Sequence, residues 1–563
     1  MCKVATTIFV LIFSGLGALT ATAAPRPADQ ARTMSDVIDR VITNENRASQ
    51  QIRQYSPLVE TYIQNLKPDK DLGYIPAGDK YFLGRADFSK GVSLVSLTDT
   101  NGKGKKLFGS IGNFFSFALQ FVPDGFLQMI FIDTNGFDKQ HYKFDYVRRE
   151  FLGEVRCLVF DVTPQEKSGK GRFLGRIWVE DQDYNIVRFN GAYSGSGHTS
   201  WWFHFDSWRT NVQPGVWVPS FVYSEEKDVH YNLSRKLDFK AQTRLWGYNL
   251  GHAAQEQELS KILVETPVQD DTKTANDLTP VQAQRSWDRQ AEDNVIDRLE
   301  RIGLIAPKGE VDKALETIVN NLEVTNNIDI EPDVRCRVMT TTTLESYTVG
   351  HTIVLSRGLI DVLPDEAGFA TIIAHELSHA VLGHRLDSSL AFFDQLLIED
   401  KETFRHFGFA RTPDEEKAAN AKAIQILNNS PYKNQLGNAG LFLTALATRE
   451  KEIPNLISPH LGDRVPVIGD LRSSMPVDQK QNPQMIAALP IGGRVKLDPW
   501  NDKLELIKSK PVGAVAEREK MPFEVTPFMP YLMRYGAEAA KPIAASAAQP
   551  SNPRTGESAP GKP

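Results

Sequence analysis

The pattern of apolar and polar residues changes several times along the chain. Residues 29–66 have a polar, helical pattern, whereas from about Tyr81 to Leu250 aromatic and β-branched residues are separated by Gly, Asn and Asp, a pattern typical of strands. Alternation with a period of two is typical of β-strands, and a period of three to four is typical of helices. We therefore predict a helical lead segment over residues 24–80 and an antiparallel β domain over residues 81–250.

The predicted β domain contains several clear strand patterns. Phe173–Val179 is separated from Ile186–Phe189 by polar residues 181–183, which predicts an antiparallel hairpin. Cys157–Val162 and Trp201–Phe205 are two further predicted strands. This strand rhythm resembles that of the curved antiparallel sheet in bacterial lipoprotein-carrier domains.

Helical spacing returns in the second half of the chain. The polar residues 255–284 predict a linker, which together with a helix spans residues 251–308. Helical spacing from Val311 to Leu322 precedes two short predicted strands, Val334–Met339 and His351–Leu355. A mainly helical domain with a small sheet is therefore predicted for residues 309–465, and the fold class is α+β and multidomain.

The C-terminal region is richer in Pro and poorer in regular pattern. Residues 466–539 form a predicted extension, with a strand pair near Val495–Leu497 and Leu504–Ile507. Residues 540–563 are mostly Ala, Pro, Ser and Gly, a composition that buries too little apolar surface to fold. We expect this tail to be disordered.

The amino terminus has the pattern of a secretory signal. Lys3 precedes an apolar run from Val4 to Leu19, and small residues follow up to Ala23. Cleavage near Ala23 would make residues 1–23 a signal peptide and leave an exported protein, periplasmic or secreted. An uncleaved anchor is the alternative, although the run is shorter than the ~20 residues of a spanning helix. No later segment is apolar enough to cross a bilayer.

The net charge bears on the class of partner, and the cysteine content bears on disulfide formation. The 563-residue chain has a net charge of −6, which argues against nucleic acid as a partner. Cys157 and Cys336 remain after signal removal. A disulfide between them is one alternative in an oxidising compartment, and two buried unpaired thiols are the expected one.

The chemistry is concentrated on one predicted helix. Apolar residues keep helical spacing from Phe369 to Val381, and this stretch contains the pattern H-E-x-x-H at His375, Glu376 and His379. Histidines four apart lie on one helix face, where both can bind a single zinc ion at ~2.0–2.1 Å. Glu376 follows the first histidine directly and is a candidate general base and acid for a water molecule at the metal.

The motif helix resembles that of the HtpX and CAAX-prenyl-protease metallopeptidases, which are gluzincins. The matching residues are His375-Glu376-Leu377-Ser378-His379-Ala380-Val381-Leu382-Gly383-His384. The resemblance implies one zinc ion per chain and a third ligand within E-x-x-A-D, which falls on Glu416 when aligned on Ala419. Glu415 is the rival ligand, and a solvated acidic helix start is the alternative for both. His384 matches the family helix but is read as structural.

Two departures from the family accompany this match. Asn420 stands where the family usually has Asp, an uncharged replacement for a group that would orient a ligand. In the segment Ser346–Leu359, which resembles the strand and turn before the metal helix, Glu345-Ser346 replace the frequent Asn-Ala. This strand could bind an extended substrate through its main chain, or be an ordinary sheet strand.

A looser match lies after the third ligand. Ser458–Arg464 resembles the family's His-Pro segment, although the proline precedes the histidine here. The resemblance implies that His460 donates to the oxyanion and that Arg464 braces the site, with structural packing as the alternative for each.

Together these features predict a zinc metalloendopeptidase. It would cut proteins or peptides in the cell envelope or exterior, with protein quality control as a role and envelope-associated partners as candidates. Two alternatives from other classes stay open. One is a zinc-stabilised chaperone or pseudo-protease that binds chains without cutting, and the other is a lipid or lipoprotein carrier built on the β domain.

Overall fold

The computed structural model describes the chain in segments. These are residues 33–89, 91–97, 123–134, 136–169, 171–194, 203–232, 235–248, 280–385, 409–457, 460–464, 491, 495–508, 523–527 and 529–536. The predicted signal peptide, most of the predicted linker and the predicted tail lie outside them.

A ten-stranded antiparallel sheet dominates the N-terminal part. Its strands are β1 Leu58–Asp69, β2 Gly73–Asp87, β3 Ser93–Ser96, β4 Tyr142–Leu152, β5 Val155–Pro164, β6 Phe173–Glu180, β7 Ile186–Tyr193, β8 Phe205–Gln213, β9 Val216–Asn232 and β10 Arg235–Trp246. The spatial order is β3-β2-β1-β10-β9-β8-β7-β6-β5-β4, so each strand pairs with a chain neighbour except where β1 meets β10. The hairpin predicted around residues 181–183 is the β6–β7 pair.

Both faces of this sheet are covered. On β5, Leu158 and Phe160 pack in a cluster with helices α1 (Met34–Gln51) and α2 (Pro123–Gln128). Cys157 and Val159 point to the opposite face, as a period of two requires, and belong to the cluster that continues into the C-terminal part of the chain. Both described cysteines, Cys157 and Cys336, are buried and free.

Helix α1 is held by its own sequence and by one buried ion pair. Thr33 caps it in a capping box with Asp36, and Val41 and Glu45, four residues apart, share its buried face. The Glu45 carboxylate accepts two hydrogen bonds from Arg209 on β8, each 2.7 Å long. This forked pair fixes the helix against the sheet.

The sheet begins earlier in the chain than the sequence pattern predicts. The predicted helical segment 24–80 is helical over α1 and a 3-10 turn (Ile52–Gln54), but β1 and about half of β2 follow before residue 80. Glu60 and Gln64 make β1 look polar, yet both are buried. Their partners are distant in sequence: Thr342 for Glu60 and Phe523 for Gln64.

The C-terminal part is mainly helical and carries a small sheet. Its helices are α3 Pro280–Arg301, α4 Glu310–Asn326, α5 Arg357–Val362, α6 Glu366–Leu382, α7 Pro413–Asn428, α8 Leu436–Arg449 and α9 Pro454–Ile457. The sheet has the order β11 (Arg335–Met339), β13 (Thr352–Ser356), β12 (Glu345–Val349) and β14 (Asp463–Arg464). A separate hairpin joins β15 (Val495–Asp498) to β16 (Lys503–Leu506). The predicted α+β multidomain class is confirmed.

One buried carboxylate ties the two parts together. Glu60 on β1 accepts hydrogen bonds from the main-chain N–H and the hydroxyl of Thr342, both 2.6 Å, and from Arg244 at 3.0 Å. Tyr81 donates to the same carboxylate at 2.9 Å. Because Thr342 lies just before β12, this network positions the small sheet relative to the large one.

Among the helices that the structure describes, none combines the length and the apolar character that crossing a membrane requires.

Candidate metal centre

Helix α6 carries the metal motif through the core of the C-terminal part. Asp365 caps it by accepting a hydrogen bond from Gly368 N at 2.9 Å, and the helix stops at Gly383, whose φ of 70° is left-handed. Residues from Ala367 to His379 are almost all buried, because α4, α7 and α8 pack around the helix. The two motif histidines therefore have fixed surroundings.

The histidines of α6 face each other as their spacing predicts. His375 and His379 have their Nε2 atoms 3.3 Å apart, and both side chains are buried. Burial lowers the pKa of His379 to about 2, with the neighbouring His375 acting in the same direction. A neutral imidazole is the form that binds a metal.

Helix α7 brings a carboxylate to both histidines. Glu416 is buried, and its Oε2 lies 3.4 Å from His375 Nε2 while its Oε1 lies 3.5 Å from His379 Nε2. Glu415, the rival ligand, instead closes the capping box of α7, where its carboxylate accepts hydrogen bonds from the main-chain N–H and the hydroxyl of Thr412. The structure thus brings Glu416 to the histidines and turns Glu415 away from them.

The three ligand groups fit a tetrahedral metal ion. Ligand atoms at ~2.0–2.1 Å from a tetrahedral zinc ion lie about 3.3–3.4 Å from one another. The 3.3 Å between the two histidine Nε2 atoms matches this spacing, and each of these nitrogens has a different Glu416 oxygen at 3.4 or 3.5 Å. One ligand atom from each residue lies within 4.8 Å of the others. Within the described residues, neither Glu416 oxygen accepts a hydrogen bond, although both are buried. Such a carboxylate needs a cation to compensate its desolvation.

Glu376 lies on the same helix with its carboxylate directed at strand β12. Its Oε1 accepts a hydrogen bond from the Ser346 hydroxyl at 2.6 Å, and its Oε2 accepts one from the Thr348 hydroxyl at 2.7 Å. Burial raises the pKa of Glu376 above its ordinary value, against the lowering effects of His375 and of the two hydroxyls. The carboxylate is therefore fixed in place beside the metal ligands by bonds that the sequence did not predict.

His384 makes a contact with a motif histidine that the sequence interpretation did not predict. Its Nδ1 lies 2.9 Å from Nδ1 of His379, the ring nitrogen that faces away from the Glu416 carboxylate. A ligating histidine commonly has its second ring nitrogen bonded in this way, which fixes its tautomer and orientation. The five-residue offset gave no hint of this contact, because Gly383 ends the helix between the two residues.

We expect His384→Leu to weaken zinc binding by about 10- to 100-fold, because His379 loses the partner that orients its ring. Competition with a chromophoric chelator measures the affinity. His351→Leu is the matched control, since His351 is partly buried in the turn between β12 and β13 and belongs to no metal-ligand group among the described residues. Equal affinities for the parent and the His384→Leu variant would contradict this role.

The structure does not bring His460 into the metal group. Its ring stacks on Tyr81 with centroids 4.4 Å apart, and its Nε2 lies 3.1 Å from the carbonyl oxygen of Asn455. The predicted donation to an oxyanion stays a prediction. The main chain of Arg464 pairs with Glu345.

The outer edge of β12 is in contact with two other segments. Strand β14 pairs with Glu345 and Ser346, and the Glu345 carboxylate accepts hydrogen bonds from three successive main-chain N–H groups, those of residues 460–462. Farther along, Arg411 donates to the carbonyl oxygen of Thr348 at 2.7 Å. A substrate strand pairing here would therefore meet groups of the chain itself.

Asn420 is buried on α7, one helical turn after Glu416. It brings no charge to the centre, and the consequence of this departure from the family pattern stays a prediction.

Comparison with known families agrees with this geometry. Residues 310–432 match the family model Peptidase family M48, a span that runs from α4 to just beyond α7 and includes His375, Glu376, His379 and Glu416. The resemblance to HtpX-like metallopeptidases is confirmed for this domain. The match supports a metallopeptidase function in general terms. No curated protein sequence matches the chain significantly.

Proposed function

Since residues 310–432 form a domain of peptidase family M48, we propose that the protein is a zinc-dependent endopeptidase that binds one zinc ion. The observation that carries this proposal is the convergence of His375, His379 and Glu416 within 4.8 Å. Two imidazoles and one carboxylate are a known ligand set of catalytic zinc sites, and they leave the fourth position open.

The side chains around this centre suit peptide hydrolysis. Zinc, when bound, supplies Lewis acidity that polarises the scissile carbonyl group. Glu376 accepts a proton from the attacking water and returns it to the nitrogen of the leaving amine. His384 holds the ring of His379, and the buried walls of α6 and α7 exclude bulk solvent.

The proposed substrates are internal peptide bonds of proteins in the cell envelope or exterior. The N-terminal apolar run and the small residues before Ala24 support export. A role in envelope protein quality control is an extension of the family resemblance. Main-chain pairing of an extended substrate with β12 would require Arg411 or β14 to move.

Chelation and reconstitution test the proposal directly. The purified mature chain, loaded with zinc, is incubated with casein, and the products are identified by mass spectrometry. We expect cleavage at internal bonds, loss of cleavage after a chelator removes the metal, and recovery when zinc is added back. Cleavage that persists without metal, or an intact substrate at full zinc occupancy, would contradict the proposal.

A protein that holds zinc and binds chains without cutting them is the second candidate. The contacts of β14 and Arg411 along β12 favour the absence of cleavage, because they occupy the edge on which a substrate strand would pair beside the metal group. Zinc binding with no cleavage dependent on Glu376 would support this candidate. The described residues do not support the lipid or lipoprotein carrier alternative, because the sheet face under α1 and α2 is packed with side chains such as Phe126 and Phe160.

A further inference from the structure

Two hydroxyl groups hold the carboxylate of Glu376 from the same strand. Ser346 and Thr348 are two residues apart on β12, so their side chains lie on the same face of the strand, toward α6. Each hydroxyl contacts a different carboxylate oxygen, Ser346 at 2.6 Å and Thr348 at 2.7 Å. All three side chains are buried. Water therefore does not compete for these bonds.

The contact extends to the main chain of α6. The Thr348 hydroxyl also lies 3.0 Å from the carbonyl oxygen of Glu376. Tyr347, between the two hydroxyl residues, stacks on Phe409, with centroids 4.5 Å apart. Strand β12 is thus fixed on both faces, and its hydroxyls are presented to the helix in one arrangement.

The bonding pattern leaves Glu376 able to act. Each carboxylate oxygen offers two lone pairs, and one hydroxyl occupies only one of them. The second lone pair on each oxygen stays available for a proton of the attacking water. Hydrogen bonds to an ionised acceptor are short and strong, so two of them set the plane of the carboxylate.

From this geometry we infer that Ser346 and Thr348 are positioning residues for the proton transfer by Glu376. The inference rests on the proposed peptidase function and deepens it. A base held within a fraction of an ångström of its acting position saves the cost of ordering it in each turnover.

Pairs of variants separate the effect of each hydroxyl group from the effect of side-chain size. Thr348→Val and Ser346→Ala remove the hydroxyl, whereas Thr348→Ser and Ser346→Thr keep it. Thr371→Val is the control, because Thr371 is a buried threonine of α6 whose hydroxyl donates to the carbonyl oxygen of Ala367. We expect Thr348→Val and Ser346→Ala each to lower kcat for casein peptides by about 10- to 100-fold, the usual cost of losing an outer-sphere partner, with KM and zinc content unchanged. The conservative variants and the control should keep the parent kcat.

Infrared spectroscopy of the metal-free protein gives a reading that does not depend on activity. The difference spectrum between each protein and its Glu376→Gln counterpart isolates the carboxylate stretching bands of Glu376. These bands should shift in Thr348→Val and Ser346→Ala but not in Thr348→Ser or Thr371→Val. Unshifted bands, an unchanged or increased kcat, or an equal loss in Thr371→Val would overturn the inference. A zinc-loaded parent that cleaves nothing would refute the proposed function instead, and the bands would still decide whether the hydroxyls hold Glu376.

Discussion

Replacing Glu376 with glutamine is expected to lower kcat for casein by about 10²- to 10⁴-fold, the range that a positioned general acid–base group contributes. Glutamine has nearly the same shape and can still meet Ser346 and Thr348 across β12. Its amide cannot accept a proton from water at neutral pH. The protein should therefore fold and bind zinc as before but lose the proton-transfer step.

This measurement compares initial rates and zinc content in the same preparations. Glu310→Gln is the matched control, because Glu310 lies exposed in the first turn of α4 and pairs with Lys313. It should cleave at the parent rate. A Glu376→Gln protein that holds one zinc ion and still cleaves at the parent rate would show that Glu376 is not the base.

Replacing Glu416 with alanine should weaken zinc binding by more than about 100-fold, beyond what the loss of an outer-sphere partner costs. Its two oxygens face both histidines at 3.4 and 3.5 Å, so the substitution removes one of three ligands. Activity at limiting zinc should disappear with the metal.

Glu415→Ala is the matched comparison for that variant. It removes the neighbouring carboxylate, which closes the capping box with Thr412, so the expected cost is about 1 kcal/mol of stability with zinc affinity unchanged. Isothermal titration of the two variants with zinc shows which of the two carboxylates binds the metal. Loss of zinc from Glu415→Ala, with retention by Glu416→Ala, would reverse the ligand assignment.

The sequence predicts the site contacts between residues that are close in the chain, and it predicts fewer of those between residues that are distant in the chain. His375 and His379 follow from helix spacing alone, because four residues make one turn. Glu416 needs the family resemblance, since 37 residues of sequence separate it from His379, yet the structure brings it to both histidines. The contacts of Ser346 and Thr348 with Glu376 depend on how β12 packs on α6, which no local pattern in the sequence describes.

For the fold too, elements with a clear local pattern are predicted, and elements that depend on distant contacts are not. Strands β6 and β7 are predicted correctly, because both contain aromatic and β-branched residues and a polar turn separates them. Strand β1 is not, because Glu60 and Gln64 are polar residues buried against distant parts of the chain. Their hydrogen bonds to Thr342 and Phe523 offset the burial, and those partners become visible only in three dimensions.

The most direct test of the zinc centre is a crystal structure of the zinc-loaded chain with anomalous data collected at the zinc absorption edge. We expect one anomalous peak, about 2.0–2.1 Å from Nε2 of His375 and of His379 and about 2.0–2.2 Å from a carboxylate oxygen of Glu416. Zinc-loaded crystals with no peak there, or with the ion held by other residues, would contradict it.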